Sequence, residues 1–171
     1  NDLPKFHGEQ LYKWMYQKAT LNINDMSNIP AKLKKIISDD YTINLLTIEK
    51  KMNSQNEDTV KYLFKTSDNK LIESVSMISN KRHTLCISSQ IGCSVDCDFC
   101  ATAKMGIIRN LDCGEIIQQL IIISNERKKT ITNVVFMGMG EPFLNYNNVI
   151  KACDIFTNPL GFNLSTKKIT I

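Results

Sequence analysis

Thr84-Leu85-Cys86-Ile87-Ser88-Ser89-Gln90-Ile91-Gly92-Cys93-Ser94-Val95-Asp96-Cys97-Asp98-Phe99-Cys100 joins a short apolar run to a loop with three closely spaced cysteines. Thr84 to Ser89 reads as a buried strand, bounded by the loop that follows. Downstream, Leu111 to Arg127 carries a long helical pattern, with Asp112 placed as its N-cap. Ile131 to Met137 is β-branched and apolar, Tyr146 to Phe156 is helical again, and Lys168 to Ile171 opens a further strand. The order strand–helix–strand–helix–strand predicts an α/β unit of parallel strands joined by right-handed crossovers.

Upstream the rhythm differs. Glu9 to Lys18 is a helical pattern with Leu11, Met15 and Lys18 on one side and Trp14 beside them. A second helix follows Pro30 and runs through Leu33, Ile36 and Ile37. Tyr41 to Lys50, Thr59 to Thr66 and Leu71 to Ile78 read as strands, separated by polar turns at Asn53–Asp58 and Ser67–Asn69. These predict a small antiparallel meander. The division expected is a 1–80 α+β accessory domain and an 81–171 α/β core, with the boundary near Ser79 to His83. Three parallel strands are few for a barrel or a doubly wound sheet, so the expectation is the N-terminal part of a longer enzyme.

The chain has 171 residues, 43% of them hydrophobic, enough for a packed core. No apolar run approaches the roughly 18 residues of a membrane span, and Ile116–Ile123 is broken by Gln118 and Gln119. Asn1 to Gly8 lacks the order of a signal peptide. The reading is a soluble, cytoplasmic protein with no membrane partner. A net charge of +4 is compatible with an RNA partner. The lysine clusters at Lys32, Lys34 and Lys35, at Arg127–Lys129 and at Lys167–Lys168 read first as solvated surface.

Of six cysteines, Cys93, Cys97 and Cys100 form a C-x3-C-x2-C pattern. Without an export signal, metal or redox chemistry explains them better than a disulfide framework. Three thiolates in one tight loop suit an iron–sulfur cluster with an open iron. Zinc prefers four protein ligands, and Cys86 is available as a fourth, so a zinc-stabilised module stays open at this point. Phe99 is placed to shield a cluster or to pack beside a bound adenine. A second motif, Gly138-Met139-Gly140-Glu141-Pro142, ends the second parallel strand. Its glycines permit close backbone approach, and its carboxylate can accept hydrogen bonds from an ammonium group. Composition alone makes Glu73 an exposed strand carboxylate and Cys86 a buried thiol. Cys113 and Cys153 read as packing residues, and neither His7 nor His83 has an acid–base partner.

C-x3-C-x-Phe-C after the first strand of a parallel series resembles the radical S-adenosylmethionine superfamily, in which three cysteines bind a 4Fe–4S cluster. Gly138–Pro142 is similar to the superfamily motif that holds the methionyl amino group. The resemblance narrows to the RlmN-type RNA methyltransferase family through Glu73, Thr84–Cys93, Arg109–Leu111, Glu115–Ile116 and Thr132–Pro142, with Gln10 and Tyr12 to Tyr16 resembling its accessory domain. It implies the N-terminal part of a partial (β/α) barrel preceded by the accessory domain. It implies methylation of adenine carbon 2 in large-subunit ribosomal RNA and in transfer RNA, with S-adenosylmethionine as cofactor, a reductant such as flavodoxin, and a monomer. Cys93, Cys97 and Cys100 would hold the cluster, and Gly140 and Glu141 the cofactor. Glu73 would accept the ring proton, and Cys86 would form a transient disulfide with a C-terminal, methyl-carrying cysteine. No residue here corresponds to that cysteine, so this chain is expected not to complete turnover alone. Related readings are methylation at carbon 8, disfavoured by Pro142 and Lys13–Tyr16, and a radical enzyme acting on a small molecule.

Overall fold

A computed structural model describes residues 4–171, so the first three residues of the expected 1–80 unit lie outside it. Strict alternation builds the centre of the sheet. In β2 (Thr59–Thr66) and β3 (Leu71–Ser79), Val60, Tyr62, Phe64, Ile72, Ser74 and Ser76 are buried on one face. Lys61, Leu63, Lys65, Glu73 and Val75 take the other face, which stays partly open.

β1 (Leu46–Asn53) starts later than the expected Tyr41. The preceding backbone is occupied by a side chain instead. Gln118 Oε1 accepts from the N–H groups of Leu45 (2.9 Å) and Leu46 (3.1 Å), and its Nε2 donates to the Ile43 carbonyl. A bulge between Ile48 and Lys50 then turns Lys50 to the open face opposite Leu63.

β4 (Arg82–Cys86) pairs antiparallel with β3 and parallel with β7 (Asn133–Val135), which pairs parallel with β8 (Ile169–Thr170). The result is one six-stranded sheet in the order β1-β2-β3-β4-β7-β8. The expected meander and the expected parallel strands are therefore halves of a single sheet. Residue 80, the expected division, lies in the hairpin turn between β3 and β4. A separate ribbon of β5 (Gln90–Gly92) and β6 (Ile107–Asn110), absent from the sequence reading, frames the cysteine loop.

α3 (Cys113–Arg127) begins at Asp112, where a capping box with Glu115 satisfies two backbone donors of its first turn. α4 (Tyr146–Thr157) packs beside it. Ile116, Leu120, Ile123, Val149 and Phe156 bury against Leu85, Ile87 and Val134 in one continuous core. Cys113 and Cys153 join that core, in line with packing roles. Before the sheet come α1 (Phe6–Tyr12), a wider π-helical turn over Lys13–Gln17, and α2 (Ala31–Asp40). These leave an apolar cavity of about 420 Å³ against α3, lined by Leu11, Met15, Leu33, Ile37, Ile117 and Ile121.

Candidate cluster and cofactor site

Two loops leave the C-terminal ends of the neighbouring parallel strands β4 and β7, where α/β folds place ligands. They are bonded to each other along their first residues. Gly138 N–H donates to the Ile87 carbonyl (3.0 Å), and the Met139 carbonyl accepts from Ser89 N–H (2.9 Å) and Gln90 N–H (3.2 Å). Ser88 Oγ accepts from Met139 N–H (2.9 Å) and donates to the Glu73 carbonyl (2.6 Å), tying β3 to the same junction.

This closeness explains the glycines. A Cβ on Gly138 would lie 2.6 Å from the Ile87 carbonyl oxygen. Gly140 has φ +97°, and a Cβ there would lie 2.5 Å from Gln90 Cβ. Glu141 follows and caps the short helical turn Pro142–Asn145, its Oε1 accepting from Phe143 N–H at 3.0 Å.

Cys93, Cys97 and Cys100 are each half-buried. Cys93 N–H donates to the Gly106 carbonyl (3.1 Å), and Cys100 N–H to the Cys97 carbonyl (3.0 Å), which folds the loop back on itself. The Cys100 thiol is pulled below its ordinary pKa by the backbone N–H groups of Ala103 and Thr102. Among the described residues, no three His, Cys, Asp or Glu side chains are gathered tightly enough to hold a metal ion. The loop thus brings three thiols to one place in the fold without converging them. Soft sulfur donors suit an iron–sulfur group, and the loop's half-open setting gives such a group access. Phe99 is 93% exposed, on the same loop as the three cysteines.

Glu73 lies on the open face of β3, its carboxylate 2.7 Å from Lys61 Nζ. Cys86 lies on the same face, because it pairs with Val75, two residues along β3 from Glu73. Burial raises the Cys86 thiol above its ordinary pKa, against a hydrogen bond from the Met137 backbone. All six cysteines are free thiols. His83 is buried between Ser76 Oγ and the Lys129 carbonyl.

The sequence assigns no role to the polar side chains that join these parts. Arg109 pairs with both Glu115 and Asp68 at 2.8 Å, joining α3 to the β2–β3 turn. Asn145 Nδ2 donates to the carbonyls of Ser89 and Leu111, each at 2.8 Å. Gln119, wholly buried, connects Ser74 of β3 to Ser88. The available signal was polarity inside apolar runs, as Gln119 stands within Ile116–Ile123.

The sequence model of a family described as ribosomal RNA large subunit methyltransferase N-terminal domain matches residues 2–43. A probable dual-specificity RNA methyltransferase RlmN from Christiangramia forsetii is 42% identical over 170 residues, covering 97% of this chain and 48% of the relative. The protein of the same description from Pseudothermotoga lettingae is 39% identical over 169 residues, covering 99% and 49%. The crystal structure of a radical SAM methyltransferase from Sphaerobacter thermophilus superposes with a TM-score of 0.91 at 34% identity, covering 98% of this chain and 50% of that one.

Proposed function

We propose, for a chain that belongs to the RlmN-type methyltransferase family and spans about half the length of the curated relatives it matches, that it carries the cluster- and cofactor-holding part of a radical S-adenosylmethionine RNA methyltransferase. The observation that carries this is the bonding of Ile87–Gln90, which lead into the cysteine loop, to Gly138 and Met139, which lead into Gly140–Glu141, at the ends of two parallel strands. Cys93, Cys97 and Cys100 would hold a 4Fe–4S cluster, which when bound would supply an electron to S-adenosylmethionine. Gly140 and Glu141 hold the methionyl amino group, by backbone approach and by charge-assisted hydrogen bonding.

The substrate is an RNA adenine, methylated at carbon 2 in ribosomal and transfer RNA. In support, Lys50, Lys61 and Lys65 share the open face of the sheet with Glu73, a setting suited to phosphate contacts. On that face Glu73 accepts the ring proton, its carboxylate oriented by the contact with Lys61 Nζ at 2.7 Å. Cys86 supplies a thiol for sulfur exchange on the same face. Burial keeps it protonated at neutral pH, so it must lose its proton before attacking sulfur.

Anaerobic reconstitution with iron and sulfide tests the reading. The expected result is a brown protein absorbing at about 400 nm with about four irons per chain. S-adenosylmethionine should then perturb the spectrum of the reduced cluster, and Cys97→Ala should abolish both signals. A colourless protein holding one zinc would overturn the proposal in favour of a zinc-stabilised RNA-binding module. For the complete enzyme, mapping the methyl group on adenine separates carbon 2 from carbon 8.

A further inference from the structure

The structure assigns a positioning role to Gln90, a residue in neither motif: we propose that its side chain fixes the Gly140–Glu141 turn in the orientation that receives the methionyl amino group. The inference rests on the reading above. Gln90 is 2% exposed, at the start of the ribbon that carries the cysteine loop. Its Oε1 accepts from Glu141 N–H at 2.8 Å, and its Nε2 donates to Asn110 Oδ1 at 2.7 Å. Asn110 Nδ2 in turn donates to the Leu144 carbonyl at 3.3 Å, at the far end of the turn capped by Glu141.

The donors and acceptors allow this arrangement only one way round. Rotating the Gln90 amide by half a turn would set its NH2 against the Glu141 N–H and its oxygen against Asn110 Oδ1. The side chain is therefore locked, and it holds the backbone of Glu141 from below while Asn110 holds Leu144. Gly140 completes the fit, since any Cβ there would strike Gln90 Cβ and Cγ, at 2.5 and 2.7 Å. A buried amide that bridges the cysteine-bearing ribbon to the carboxylate-bearing turn sets the relative placement of the two halves of the site. Such supporting hydrogen bonds commonly govern ligand affinity by ten- to a hundredfold, as they do around metal sites.

Gln90→Met keeps the length of the side chain and removes both polar atoms. In the metal-free chain it should speed amide hydrogen exchange at Glu141 without changing exchange in β2 and β3. After cluster loading it should weaken S-adenosylmethionine binding by about tenfold with iron content unchanged. Asn110→Ala leaves Gln90 in place but unlocks it, so the same two changes should appear in smaller measure; this variant decides the matter if Gln90→Met does not fold. Unaltered Glu141 exchange or unaltered cofactor affinity in the folded variant would overturn the assignment. Failure of the unmodified, loaded chain to bind S-adenosylmethionine would instead overturn the proposed function.

Discussion

Glu73 and Cys86 present their side chains to the same face of the sheet, on adjacent antiparallel strands, because Cys86 pairs with Val75 and Glu73 lies two positions along β3 from it. Helices cover the opposite face, where Tyr62, Ile72 and Leu85 are buried. Under the proposed function, a carboxylate and a thiol so placed would meet the same substrate, and their loss should damage chemistry more than folding.

Glu73→Gln should lower the stability of the chain by less than about 1 kcal/mol, since its partner is an exposed lysine and such pairs contribute little. Lys61→Met should behave alike. Urea midpoints of the two variants and their double mutant check this; a loss of several kcal/mol would show that the ion pair serves the fold instead.

The two glycines tested by geometry should respond in opposite directions. Gly8 stands in α1 with open space where a Cβ would go, so Gly8→Ala should raise stability by up to about 1 kcal/mol through helix propensity. Gly138→Ala forces a Cβ against the Ile87 carbonyl, which is fixed in the strand junction. A loss of about 2 kcal/mol or more is expected, as for other backbone clashes. Denaturation midpoints measured side by side give both signs.

Periodicity carried most of the fold. β2 shows its alternation plainly enough that Thr59–Thr66 was readable to the residue, and Asp112 announced the start of α3. The failures share one cause. Tyr41–Leu45 has strand-like composition, but Gln118 of α3 takes up backbone groups at Ile43, Leu45 and Leu46. A contact across more than 70 residues leaves no local trace. The β5–β6 ribbon was hidden because its strands are short and the cysteine loop separates them. For the site, spacing made the cysteines and the glycine–glutamate turn visible. Gln90 and Asn110 were not, because a buried amide network depends on which loops meet. The roles of Glu73 and Cys86 came only from family resemblance, since a strand carboxylate and a strand thiol carry no chemistry in their own pattern.

Stability should fall as the pH drops below about 6.5, through His83. Its Nδ1 faces the Lys129 carbonyl (3.2 Å), which can only accept, so Nδ1 carries the hydrogen and Nε2 accepts from Ser76 Oγ (2.8 Å). Burial pushes its pKa down, against the backbone carbonyls of Lys129 and Thr130. With the folded value below the ordinary 6.5, the unfolded chain binds the proton first. The contribution is complete above that value and declines beneath it. His83→Gln should flatten this slope while costing stability at neutral pH; urea titrations across the window in the metal-free chain measure both.

The last test concerns the join between the sheet and the loops. Gln119 Oε1 accepts from Ser74 Oγ (2.7 Å) and Ser88 N–H (2.8 Å), and its Nε2 donates to the Ser88 carbonyl (3.0 Å). Gln119→Leu fills similar space but leaves the Ser88 N–H and carbonyl buried without this partner. Each unpaired group costs about 1–3 kcal/mol, so a loss of roughly 2–5 kcal/mol is expected. Ser74→Ala removes a single hydroxyl donor and should cost about 1 kcal/mol. In Gln119→Leu the Ser74 hydroxyl has already lost its partner, so adding Ser74→Ala should cost less than it does alone. A double-mutant cycle that is additive would show that Gln119 does not couple β3 to the loop that carries the cysteines.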